Sequence, residues 1–160
     1  MKKYIAIIMV SMSINFLYSQ SNINLPAWNV SKLYINGITD NNRADYLARA
    51  LEKIDLAIFA AFSSEEGYGY VIYPNSQNIG NIIDYINQAL TGFEVIKNET
   101  MQLTKDLYLE IYSMRNNIKS KDIENQMPKY IQLGPKNELS TQLYELAKQI
   151  WIERYSEANE

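Results

Sequence analysis

The chain of 160 residues contains neither cysteine nor histidine. The first absence excludes disulfides, thiolate metal sites, cysteine nucleophiles and an acylated lipoprotein cysteine. The second excludes histidine-based triads, imidazole metal ligands and histidine pH switches. A charge excess is lacking too. Fifteen Lys+Arg stand against 18 Asp+Glu, a net charge of −3, which disfavours the basic surface of a nucleic-acid binder. Glycine and proline are sparse, at 6 and 4. Gly67-x-Gly69 lacks both the remaining glycine and the strand-before-helix context of a nucleotide fingerprint. Asp40-Asn41-Asn42 is oxygen-rich but has no EF-hand spacing, so helix capping is its expected role. No cofactor and no metal ion is expected. Hydrophobic residues are nevertheless 47% and charged ones 21%, ordinary globular usage that argues against disorder.

Met1-Lys2-Lys3 forms a positive start, Tyr4 to Val10 is apolar, and Tyr18-Ser19-Gln20 ends the segment with small and polar residues. That order predicts a secretory signal peptide over residues 1–19, cleaved after Ser19. A retained anchor is the alternative, although Ser11, Ser13 and Asn15 make the segment a poor membrane span. Cleavage removes two lysines and no acids, leaving a more acidic chain with no stable membrane span. The expected location is periplasmic or secreted. The abundance of Asn, Ile, Lys and Tyr suggests an AT-rich bacterial genome.

Residues 20–41 read as an N-terminal arm. Leu25-Pro26 through Gly37 fits a short helix or irregular arm anchored by Trp28, with a hairpin at Asn36-Gly37 as the alternative. Leu47, Leu51, Ile54, Ile58 and Phe62 then predict a helix over 43–64. Gly67, Gly69 and Pro74 break the pattern. Ile79, Ile82, Ile83, Ile86 and Leu90 predict a second helix over 78–90. The near-heptad set Ile96, Leu103, Leu107, Ile111, Met114 and Ile118 predicts a third over 93–118, and residues 119–136 read as a crossing loop. Leu139, Leu143, Leu146, Ala147 and Ile150 predict the last helix over 136–155. The expected fold class is all-α. About four amphipathic helices would form a bundle-like single domain over 42–160, with a short irregular or β segment near 68–73.

Without His or Cys, catalysis would fall to carboxylates, Tyr, Lys, Ser or a hard metal ion. The best carboxylates are Glu65 and Glu66, read as ending a helix before Gly67-Tyr68-Gly69-Tyr70. A carboxylic acid in a partly apolar cleft can serve as a general acid, as in glycoside hydrolysis. Glu66-Gly67 followed by Tyr73 and Asn75, with Ile79-Gly80 beyond, resembles one short stretch of the phage-type lysozymes. There a Glu-Gly step ends a helix and precedes a Tyr and an Asp of a small sheet. The resemblance implies Glu66 as the acid. Asn75 stands where that family places its second carboxylate and the family's His is missing, so the stretch does not place the chain in that family. The plainer reading is a pair of solvated carboxylates.

Tyrosine is the unusual abundance, with thirteen in the chain. Tyr68, Tyr70 and Tyr73 cluster in the glycine-containing segment over 63–77. On a short strand Tyr68 and Tyr70 would share one face and Tyr73 would point to the other. They read either as a protein- or glycan-contacting patch or as rings closing the end of the bundle. Trp151, Arg154 and Tyr155 have the composition of an interface anchor, with completion of the core as the alternative for Trp151.

The leading expectation is an exported, non-enzymatic helical binding or structural protein with a protein partner. It would serve as a subunit or adaptor of a bacterial envelope assembly such as a secretion or conjugation apparatus. One alternative is a periplasmic inhibitor or immunity protein against a toxin or lysozyme, its acidic loop entering a basic cleft. The other is a cell-wall glycan hydrolase using Glu66.

Overall fold

The computed structural model describes residues 24–156. The expected signal peptide over 1–19 lies outside the described residues. Four strands and four α-helices follow in the order β1 (Trp28–Asn36), α1 (Asn41–Lys53), β2 (Phe59–Ser63), β3 (Tyr68–Pro74), α2 (Ile79–Ala89), β4 (Glu94–Met101), α3 (Lys105–Arg115) and α4 (Asn137–Tyr155). Short 3-10 turns occupy Leu25–Ala27 and Ser120–Asn125. Every strand pair is antiparallel, and the sheet order is β2-β3-β1-β4. A βαββαβ run in this strand order is the split βαβ, or ferredoxin-like, topology. Helices α3 and α4 are an addition to it.

The fold is therefore mixed α/β, and the expected all-α bundle is corrected. Three segments account for the difference. Residues 28–36, expected within an arm, form a central strand. Their apolar residues change phase partway, Val30 facing one side of the sheet and Leu33 and Ile35 the other. The expected helix over 43–64 stops at Lys53, and Asp55 takes a left-handed backbone conformation at φ 59°. Beyond it β2 is buried on both faces, Phe59 and Ala61 entering one core and Ala60 and Phe62 the other. Such a continuous apolar run does not distinguish strand from helix by its period. The expected helix over 93–118 divides into β4 and α3. Ile96 and Leu103, seven residues apart, belong to different elements. The second and fourth expected helices correspond to α2 and α4, and the segment near 68–73 is β3.

Side-chain caps fix three helix starts. Asp40 accepts from the Arg43 N–H at 2.9 Å, Asn78 from the Gly80 N–H at 2.8 Å and Thr104 from the Leu107 N–H at 3.2 Å. Helices α1 and α2 cover one sheet face, where Leu47, Leu51, Ile82 and Ile86 pack on Leu33, Ala60 and Val71. Helices α3 and α4 cover part of the opposite face, where Tyr108, Ile111, Tyr112 and Leu143 pack on Val30, Phe59 and Ile72. The result is three layers with two cores.

Arg43 ties two turns together. It donates to the Gly37 carbonyl at 2.6 Å and the Gly92 carbonyl at 2.9 Å, with its guanidinium 4.2 Å from the centre of the Phe93 ring. Gly37 has φ 96°, and a Cβ there would collide with the Gly92 carbonyl, so both backbone conformation and space require glycine.

Candidate functional site

The α3–α4 layer does not extend across the whole sheet. It buries Val30, Ile72, Phe59 and Ala61 and stops short of the far end of β1 and most of β4. Strand registry assembles a patch on this open part. Tyr34 lies opposite Tyr68, and Lys32 lies opposite Tyr70. On the other side Tyr34 faces Lys97, and Lys32 faces Glu99. Directly opposed side chains of an antiparallel pair share a face, so these residues converge.

Lys32 sits at the centre. Its Nζ is 3.6 Å from the centre of the Tyr68 ring, 5.2 Å from that of Tyr34 and 5.8 Å from that of Tyr70. The rings also meet one another. Tyr34 and Tyr68 are tilted at 5.8 Å, and Tyr68 meets Tyr70 edge-on at 5.8 Å. Three electron-rich faces around one ammonium are mutually attractive. Lys97 and Glu99 border the cluster, paired at 2.5 Å, and Lys97 lies 5.1 Å from the centre of the Tyr34 ring. The hydrogen bond that Lys97 donates to Glu99 raises the pKa of Lys97 and lowers that of Glu99. Burial raises the pKa of the Tyr68 phenol, reinforced by the neighbouring Glu66 carboxylate. Burial pushes Tyr70 up to about 12, with Glu110 and Glu66 adding to the effect. Both phenols therefore stay protonated at neutral pH as hydrogen-bond donors.

Tyr73 points to the opposite face. There its hydroxyl and the buried Ser31 Oγ lie 2.9 Å apart, and Ser31 Oγ is 3.2 Å from Thr100 Oγ1. This polar chain joins β3, β1 and β4 beneath α1 and α2. Tyr68 thus belongs to the open patch, Tyr70 is buried beside it at the margin of the α3–α4 core, and Tyr73 belongs to the core beneath α1 and α2.

Glu65 and Glu66 lie in the turn between β2 and β3, not at the end of a helix. They border a cavity of about 450 Å³ with Phe62, Met114, Ile118 and Lys119. The Glu65 side chain is 70% exposed and pairs with Lys119 at 2.9 Å, which raises the pKa of that lysine. Neither carboxylate has the apolar enclosure that a general acid requires. Their place on a hairpin turn also removes the helix-ending geometry that the lysozyme resemblance implies.

Trp151, Arg154 and Tyr155 lie on the last turns of α4. The Trp151 Nε1–H donates to the Ile123 carbonyl at 2.6 Å, and its ring packs against the α3–α4 core. The Tyr155 ring is 5.9 Å from Trp151, and Arg154 pairs with Asp106. These contacts hold the 3-10 turn Ser120–Asn125 and the start of α3 against α4. The open tyrosine patch lies on other elements.

Sequence reasoning did not find Lys32, Tyr34, Lys97 and Glu99. The alternation Lys32-x-Tyr34 matches Tyr68-x-Tyr70, but only strand registry shows that the two pairs face one another. Among the described residues, no group of three or more metal-ligating side chains could hold an ion, and no helix is long and apolar enough to cross a membrane. No protein-family model, curated protein or solved structure matches the chain.

Proposed function

We propose that the chain is an exported, non-enzymatic binding protein whose contact surface is the open patch formed by Lys32, Tyr34, Tyr68, Lys97 and Glu99. The observation that carries the reading is the convergence of three tyrosine rings on Lys32, where the α3–α4 layer leaves the sheet uncovered. Tyrosine gives large apolar contact area and a polar tip at low entropic cost. The surrounding charges are already paired, so a partner meets a preorganised and nearly neutral surface. A protein surface with its own aromatic and charged groups suits this chemistry. Export is supported by the order of residues 1–20, a basic start, an apolar middle and a small polar end.

The test is affinity isolation of the native protein with and without the double substitution Tyr34→Ala and Tyr68→Ala. A specific partner should co-purify with the unaltered chain and be lost from the double variant, with circular dichroism unchanged. A partner retained at full occupancy by the double variant would show that contact is made elsewhere.

A further inference from the structure

We propose that two copies of this chain pair through β4, antiparallel about a two-fold axis through Asn98. The two edges of the sheet differ. At the β2 edge, the outward Ala60 N–H is capped by the buried Glu52 carboxylate at 3.1 Å. At the β4 edge, Asn87 caps only the Val95 N–H, at 2.8 Å, beside the bulge where the β1–β4 register shifts. Among the described residues, the rest of β4 carries no cap of this kind. Ile96 is 60% exposed there and Met101 40%. Such an edge is a template for another strand.

Strand geometry selects the register. The Ile35 N–H bonds the Gly67 carbonyl, towards β3. Backbone groups alternate along a strand, so Lys32 and Tyr34 direct theirs towards β4. Their partners Glu99 and Lys97 are consumed by β1, and the outward groups of the regular stretch belong to Asn98 and Thr100. Antiparallel self-pairing must use those groups. An axis at Glu99 would set Glu99 against Glu99 of the second copy, and an axis at Lys97 would set lysine against lysine. An axis at Asn98 sets Lys97 against Glu99 of the second copy, twice by symmetry. It also places each pair at a site without cross-strand hydrogen bonds, where side chains approach most closely. Ile96, which the β1–β4 register skips at the bulge, then lies at the margin of this pairing. Because β2 is buried over Phe59–Phe62 and β4 meets β4 of the second copy, the pairing closes as a dimer rather than extending as a filament. The occupant is therefore a second copy of this chain. The pairing joins two four-stranded sheets and sets their tyrosine patches side by side. It does not depend on whether those patches bind another protein.

The experiment is sedimentation velocity on the full chain over a dilution series, followed by disulfide trapping. The chain has no cysteine, so single-cysteine variants report cleanly. Asn98→Cys puts two thiols on the axis, at a Cα separation of roughly 5.5 Å that suits a disulfide. Thr100→Cys puts them four residues out of register, roughly 14 Å apart and beyond reach. The expected result is a reversible dimer that cross-links through residue 98 and not through residue 100. Lys97→Glu should weaken the dimer roughly tenfold, and combining it with Glu99→Lys should restore it. A monomer at every concentration would overturn the proposal. So would a dimer in which both cysteine variants cross-link equally, or one that Lys97→Glu leaves unaltered while the chain remains folded.

Discussion

Glu52 Oε1 accepts a hydrogen bond from the Ala60 N–H at 3.1 Å, so a side chain of α1 caps one outward backbone group on the edge strand β2. The Glu52 residue is only 5% exposed. Arg115, its side chain 4% exposed, places Nη2 3.5 Å from Glu52 Oε2, an ion-pair distance without hydrogen-bond geometry. The same guanidinium binds Asp45 through Nη1 at 2.8 Å. Burial raises the Glu52 pKa from 4.5 to about 7, against the opposing effects of Arg115 and the Ala60 N–H.

That shift makes stability depend on pH with a definite sign. The folded chain holds the Glu52 proton more tightly than the unfolded chain. The resulting stabilisation is complete below about 4.5 and is lost as pH rises through about 7. Its size is roughly 3 kcal/mol at most. Glu52→Gln keeps an acceptor for Ala60 and removes the titration. In denaturant melts, the stability of the unaltered chain minus that of the variant should fall across this interval. A constant difference would contradict the assignment. Glu52→Ala leaves both Ala60 and Arg115 without this partner and should cost about 3–5 kcal/mol.

Gly69 lies in β3 under the Phe62 ring. A Cβ at this position would collide with that ring and with the Ala61 carbonyl. Gly69→Ala should therefore destabilise the chain by about 1–3 kcal/mol through overpacking, read from the denaturation midpoint. Gly67, in the adjacent turn, has open space around it but φ 67°, so Gly67→Ala costs backbone strain without a collision. Gly69→Ala combined with Phe62→Ala should lose less than the sum of the two single losses, because the ring is one of three obstacles and the other two are backbone atoms.

Trp151→Phe should lower stability by about 1–2 kcal/mol, because it removes the indole hydrogen bond to Ile123. The segment 120–136 should then be cut sooner in limited proteolysis. Cleavage at an unchanged rate would show that the bond does not hold this segment.

Export predicts that the protein recovered from cells begins at Gln20. Intact-mass measurement reads this directly, and a product that retains Met1 would contradict it.

Where one helical face is buried and the other solvated, the fold is legible in the sequence. In α2, Ile82 and Ile86 share a buried face behind the Asn78 cap, and α4 shows the same pattern through Leu143, Ala147 and Ile150. Three of the four strands defeat periodic reading for different reasons. β1 divides its apolar residues between two cores, and β2 is apolar on both faces. β4 is mostly exposed, so Ile96 mimicked a helical position. The site was legible in part. The shared face of Tyr68 and Tyr70 follows from the alternation of a strand. Lys32 and Tyr34 join them only through a pairing that spans more than thirty residues of chain, which local pattern does not encode.

Amide hydrogen exchange, compared between the isolated chain and the chain bound to the partner recovered by affinity isolation, tests the proposed binding surface most directly. The account predicts added protection at residues 32–34, 68–70 and 97–100. Protection confined to the outer faces of α1 and α2, or to the cavity residues 117–121, would contradict it.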